Sequence, residues 1–167
     1  MKSFIVEKKY ILFPISMDAP CKTTAIWSKG EKIFEFDIPV ENCNSPYRFQ
    51  YYAPLNVEKW KGQEITIEVE DALDFLEAVG FSDDRVNTVQ HKPQIHFSPE
   101  SGWINDPNGL IYANDRYHLF FQYNPFQNQW GNLCWGHAVS RDLLHWDQLD
   151  TAMFPDENGS MFSGCGI

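Results

Sequence analysis

From Phe4 to about Glu70, apolar and polar residues alternate with a period of two, the pattern of strands with one buried face. Phe34, Phe36 and Ile38 alternate with Glu35 and Asp37, and Ile65, Ile67 and Val69 alternate with Thr66, Glu68 and Glu70. Between such runs stand Ser28-Lys29-Gly30, Asn42-Cys43-Asn44-Ser45-Pro46 and Lys61-Gly62-Gln63, all rich in turn-forming residues. Five or six strands over this length predict a small antiparallel β-sandwich in residues 1–82. One short stretch, Ala72 to Val79, departs from the pattern with helical spacing that puts Leu73, Leu76 and Val79 on one face. Residues 83–93 are polar and without period, as a linker would be.

The texture changes in residues 94–167, where aromatics mix densely with Asn, Asp, Gly and Pro. Leu110 to Ala113, the pair Asn114-Asp115 and Tyr117 to Tyr123 predict a hairpin. Runs from Cys134 to Ser140 and around Trp146 supply a third and a fourth strand, the content of one propeller blade.

Composition narrows the function. Thirteen Lys and Arg against 23 Asp and Glu give a net charge of −10, so there is no basic face for phosphates and nucleic acid is excluded as a partner. Aromatics make up 16% of the chain, too much ring surface for an acidic disordered segment and suited to an all-β sugar binder. Cys21, Cys43, Cys134 and Cys165 are far apart with no C-x-x-C pair and no His at zinc spacing, so free thiols are expected and neither a metal nor an organic cofactor is implied. Charges at Lys2, Glu7, Lys8 and Lys9 interrupt the start where a signal peptide needs an apolar core, and no apolar run reaches membrane-spanning length. No membrane partner is expected.

The stretch that carries chemistry is Trp103-Ile104-Asn105-Asp106-Pro107-Asn108-Gly109. A carboxylate at Asp106, beside an indole and amides at the mouth of a strand, suits a nucleophile, a general base or an acceptor for sugar hydroxyls. Every residue of Asn-Asp-Pro-Asn-Gly is also a turn former, and on this segment alone both readings stay open.

The segment resembles the nucleophile motif of glycoside hydrolase family 32, the invertases, levanases and inulinases. The resemblance continues in chain order through His96-Phe97, Gly102-Trp103, Phe120 to Pro125, Trp130-Gly131, Trp135 to Ala138, Ser140 with Asp142-Leu143, His145-Trp146 and Phe162-Ser163-Gly164. It implies an all-β chain in which a small sandwich precedes the first part of a five-bladed β-propeller. At about 40–45 residues per blade, residues 95–167 supply about one blade and a half. More weakly, Lys9 to Pro14 and Trp60 to Thr66 are similar to the sandwich ahead of the propeller in some levanase-type members.

By this resemblance Asp106 is the nucleophile of a retaining double displacement. Asn105 and Gln122 hold fructose hydroxyls, Trp130 walls the pocket, and Phe162 and Ser163 belong to a Phe-Ser-Gly-Ser motif whose last position is here Cys165. Trp135, His137 and Trp146 are read as blade packing with satisfied hydrogen bonds, and Trp27 and Trp60 as sandwich core, with Trp60 stacked on a sugar as the sharper alternative.

Two family acids find no match. The acid/base comes from a Glu-Cys pair, which does not occur in the 167 residues, and the Arg-Asp-Pro acid does not match Arg141-Asp142-Leu143. Glu157 reads as a solvated turn charge. The expectation is the N-terminal portion of a β-fructofuranosidase that carries the nucleophile without its acid/base, inactive alone, with a fructose-containing oligo- or polysaccharide as partner. Self-association through the incomplete propeller is expected as well. A non-catalytic carbohydrate-binding module and a fructosyltransferase are the alternatives.

Overall fold

The computed structural model describes residues 1–41, 47–86, 93 and 95–165. The turn read at Asn42 to Pro46, Cys43 within it, and most of the linker, 87–92, lie outside the described residues. The chain forms two compact units, Met1–Thr88 and Val89–Ile167. Both are built from antiparallel strands, as the alternation required.

In the first unit the strands are β1 (Lys2–Ile5), β2 (Tyr10–Ile15), β3 (Cys21–Ser28), β4 (Glu31–Pro39), β5 (Tyr51–Asn56), β6 (Glu64–Glu68) and β7 (Gly80–Ser82). One sheet has the order β1-β6-β3-β4 and the other β5-β2-β7. The central strand β2 is buried along its whole length, which explains why Tyr-Ile-Leu-Phe-Pro-Ile is apolar without alternation. Phe13 of β2 meets Phe36 of β4 edge-on at 5.4 Å, so the core lies between the sheets. The β3–β4 hairpin turns on Lys29 and Gly30, both at positive φ, the primed turn that matches strand twist.

The helix α1 (Leu73–Ala78) forms where helical spacing predicted it, and Leu76 and Val79 of the predicted face are buried, but Leu73 is not. Phe75 and Leu76 are buried whereas Leu73 is 65% exposed. Six residues make too few turns for the spacing of Leu73, Leu76 and Val79 to define the buried side. The two tryptophans read as sandwich core are instead half-buried on its surface. Ile26 takes the inward position on β3, so its neighbour Trp27 faces out, with Nε1 donating to Glu68 Oε2 at 2.8 Å. Trp60 packs edge-on against Phe34 at 5.3 Å, and Lys59 Nζ lies 4.0 Å from its ring centre.

The second unit is one sheet in the order β11-β10-β9-β8: β8 (Trp103–Ala113), β9 (Arg116–Asn124), β10 (Cys134–Ser140) and β11 (Trp146–Gln148). This four-stranded meander has the form of a propeller blade. The β8–β9 hairpin closes on Asn114 and Asp115, both at positive φ, as the sequence predicted. On one face Phe121, Tyr123, Cys134 and Ala138 form a buried cluster, with Phe97 and Trp146 packed on it. The opposite face carries His118, Phe120, Gln122, Trp135 and His137. After β11 the chain follows β10 back toward its start and then crosses toward β8. Main-chain bonds Leu149 N to His137 O, Ala152 N to Trp135 O and Met161 N to Leu133 O mark this route.

Candidate active site

Asp106 is aimed by a β-bulge. Ile104 pairs with Tyr123 and Pro107 with Phe121, so Asn105 and Asp106 together oppose the single residue Gln122. An extra residue in one strand locally breaks the ladder and re-aims the side chains beside it. A second irregularity follows, where Gly109 and Leu110 face Leu119 alone, with Gly109 at φ 47°. Pro107 lies between the two irregularities, where the missing N–H is tolerated. Turn-forming residues therefore do build Asn-Asp-Pro-Asn-Gly, but as bulges within a strand.

The crossing segment completes the site. Ser163 Oγ donates to Asp106 Oδ2 at 2.6 Å. Asp106 Oδ1 has no hydrogen-bond partner among the described residues. One carboxylate oxygen is thus held by Ser163. Three further bonds fasten the segment: Gln122 Nε2 to Met161 O at 2.7 Å, Trp135 Nε1 to Phe162 O at 3.0 Å, and Gly109 N to Gly164 O at 3.2 Å. Gln122 and Trp135 are direct cross-strand partners, so together they form the seat on which residues 161–163 rest.

Gln122 is buried, and its donor is committed to Met161. Its Oε1 is buried with no hydrogen-bond partner among the described residues. A buried carbonyl left unpaired costs free energy, and it is the one acceptor that Gln122 still has to offer beside Asp106. Asn105 is exposed next to Asp106. Phe162 and Trp130 turn their rings outward, at 68% and 64% exposure. Trp130 lies on the loop after β9, whose last residue Asn124 pairs with Trp103 at the start of β8. That pairing brings the loop to the Asp106 end of the sheet.

Motif reading alone did not single out Asn124. It is fully buried, and its Oδ1 accepts from Phe126 N at 3.2 Å and Asn132 Nδ2 at 3.1 Å, while its Nδ2 donates to Gln129 O at 3.0 Å. One amide thereby fixes the loop that carries Trp130. The signal was the polar Asn-Pro pair ending an aromatic strand.

The remaining landmarks are structural. Trp146 Nε1 donates to Leu143 O at 3.2 Å. Ala113 O accepts from His118 Nε2 at 3.2 Å, which leaves His118 Nδ1 to accept from His137 Nε2 at 3.0 Å. Burial, and then the neighbouring His118, lower the pKa of His137. Asp142 caps the β10–β11 turn, accepting from the backbone N–H of His145 at 2.8 Å and of Leu144 at 2.9 Å. Those bonds, with the His145 ring, hold its carboxyl far below the ordinary range. Glu157 is exposed in the Asp156–Gly159 turn. The Cys134 thiol is pushed well up by burial, while Cys21 and Cys165 are exposed. Among the described residues no group of three or more His, Cys, Asp and Glu is placed to hold a metal ion.

Residues 96–167 match the family model described as the Glycosyl hydrolases family 32 N-terminal domain. A levanase from Bacillus subtilis (strain 168) is 53% identical over 77 residues, covering 46% of this chain and 11% of that protein. An extracellular exo-inulinase from Aspergillus awamori is 50% identical over 82 residues, 46% of this chain and 15% of that protein. The crystal structure of an exo-inulinase from the same organism aligns with 41% of this chain and 13% of its own, at 56% identity and a TM-score of 0.37. The matched part thus spans a small share of these relatives' length. The segment that builds the Asp106 site, residues 96–167, is similar to the N-terminal domain of glycosyl hydrolase family 32.

Proposed function

We propose that this chain carries the nucleophile side of a retaining β-fructofuranosidase site for fructose-containing oligo- or polysaccharides. The observation that carries the reading is the Asp106 carboxylate, lifted by a bulge, held at one oxygen by Ser163 and open at the other. In the first step the open oxygen attacks the anomeric carbon of a fructosyl unit. The C–O bond to the leaving group breaks, its electron pair leaves with that oxygen, and a fructosyl ester of Asp106 forms. Water then cleaves the ester. Gln122 Oε1 accepts a fructose hydroxyl in place of its missing partner, Asn105 offers a second polar contact, and Trp130 and Phe162 close around the ring.

A leaving alkoxide needs a proton, and losing general acid catalysis forfeits about 10²–10⁴-fold in rate. The chain has no Glu-Cys pair to supply that acid, so it releases no measurable fructose from sucrose, levan or inulin by itself. In this reading the second unit is the first blade of a five-bladed propeller, residues 1–82 are an accessory sandwich and residues 83–93 are the linker.

The test uses a leaving group that needs no proton. With β-fructofuranosyl fluoride, the chain should release fluoride faster than buffer does, and Asp106→Asn should return the rate to that of buffer. Equal rates for wild type and Asp106→Asn would overturn the proposal. Fructose release from sucrose by the wild-type chain, abolished in Asp106→Asn, would overturn its dependence on an absent acid.

A further inference from the structure

The outward face of the β1-β6-β3-β4 sheet holds a groove of about 450 Å³ whose lining includes Thr23, Ala25, Trp27, Glu35, Glu68 and Glu70. Strand register explains its shape. Ala25 is paired with Glu35 of β4 on one side and with Glu68 of β6 on the other. The shortest side chain of the row thus forms a floor with a carboxylate on each flank. The flanking backbones are two strand spacings apart, about 9.5 Å, wide enough for one sugar ring. Trp27 stands two residues along on the same face, and its indole is held by the 2.8 Å bond from Nε1 to Glu68 Oε2. Lys32, paired across from Trp27, holds Glu35 Oε2 at 2.5 Å. On the other side of the floor, Thr23 Oγ1 donates to Asp37 Oδ1 at 2.8 Å.

A fixed indole beside acceptor-rich walls is the chemistry that binds a neutral polyol. The ring offers an apolar face to the C–H side of a sugar, and carboxylates accept from its hydroxyls. Repulsion from Glu35, Glu68 and Glu70 disfavours anionic ligands. The same chain carries a segment similar to the family 32 N-terminal domain, which indicates the kind of sugar. We infer that the Trp27 groove is a non-catalytic binding site for the β-linked fructan on which the Asp106 site acts. This inference rests on the proposed function for its ligand and on the first unit alone for its geometry.

Native affinity electrophoresis of the full chain through gels containing levan or inulin tests it. Wild type and Asp106→Asn should be retarded alike. Trp27→Ala should weaken retardation about tenfold, as loss of a central aromatic anchor does, and Glu35→Gln should weaken it less. Circular dichroism checks that each variant is folded, and Trp27→Phe, which keeps a ring, should retain most of the binding if Trp27→Ala proves unfolded. Absence of retardation in the wild type, equal retardation of wild type and folded Trp27→Ala, or tighter binding of oligolysine than of fructan would overturn the inference. Loss of retardation only in a Gln122→Met variant would also overturn it, while leaving the Asp106 reading intact.

Discussion

Asp106 owes its aim to a count of residues: two positions of β8 stand against one of β9. Its neighbour across that bulge, Gln122, spends its donor on Met161 and keeps a buried acceptor unsatisfied. Such a group is costly in the empty site and useful in the occupied one. Gln122→Met exchanges one hydrogen bond for relief of that acceptor, so its stability should stay within about 1 kcal/mol of wild type, read as the midpoint of urea unfolding. The same variant should lose any thermal stabilisation by fructose. A variant that is strongly destabilised, or still stabilised by fructose, would contradict the role given to Oε1. At Ser163, removing the hydroxyl frees Asp106 Oδ2, and Ser163→Ala should lower fluoride release from fructosyl fluoride while leaving the unfolding midpoint nearly unchanged. Equal release rates would show that the 2.6 Å bond does not position the nucleophile.

Within the elements, packing is close where β9 and β10 meet over the core of the blade. A Cβ at Gly136 would lie 2.3 Å from Phe121 Cε2 and Cζ, and Phe121 is fully buried. Gly136→Ala should therefore destabilise the second unit by about 1–3 kcal/mol, measured by urea unfolding followed in the near-ultraviolet. An unchanged midpoint would mean that the ring moves aside freely. Much of this architecture was legible from period-two alternation and from turn residues: Phe36 and Ile38 of β4, Ile65 and Ile67 of β6, and the Asn114-Asp115 turn stand where the pattern put them. The bulges were not legible, because a bulge is a mismatch in pairing and the partner strand is unknown until the sheet forms. Nor could the sequence show that residues 161–163 rest on Gln122 and Trp135, a contact across 39 and 27 positions. Leu73 misled because one apolar residue in a six-residue helix does not decide which side is covered.

At the scale of the whole molecule, the edge strand β8 exposes Leu110, Ile111 and Tyr112 in succession, at 65%, 40% and 58%. An exposed apolar edge invites further pairing. Concentration-dependent association in sedimentation is the expected behaviour, and a monodisperse monomer across a wide concentration range would contradict it. His137 links stability to pH. The folded-state pKa of His137 lies below its ordinary 6.5, so the unfolded chain binds the proton first. Its contribution is therefore complete above about pH 6.5 and is lost as pH falls toward the folded value. His145, raised by its hydrogen bond to Asp142 and by the charge of Asp142, contributes in the opposite sense, below 6.5. Comparing wild type with His137→Gln isolates the first effect: the wild-type melting temperature should fall more steeply than that of the variant between about pH 7 and about pH 5.5. Parallel curves would remove His137 from the account.

The central claim is that Asp106 forms a covalent bond to fructose. Incubating the chain with β-fructofuranosyl fluoride, quenching in acid and sequencing the peptides by mass spectrometry locates that bond. One fructosyl group should be found on the peptide that contains Asp106, on the carboxyl of that residue, and should be missing in Asp106→Asn. A fructosyl group on a different carboxylate, or none on wild-type chain that has released fluoride, would contradict it.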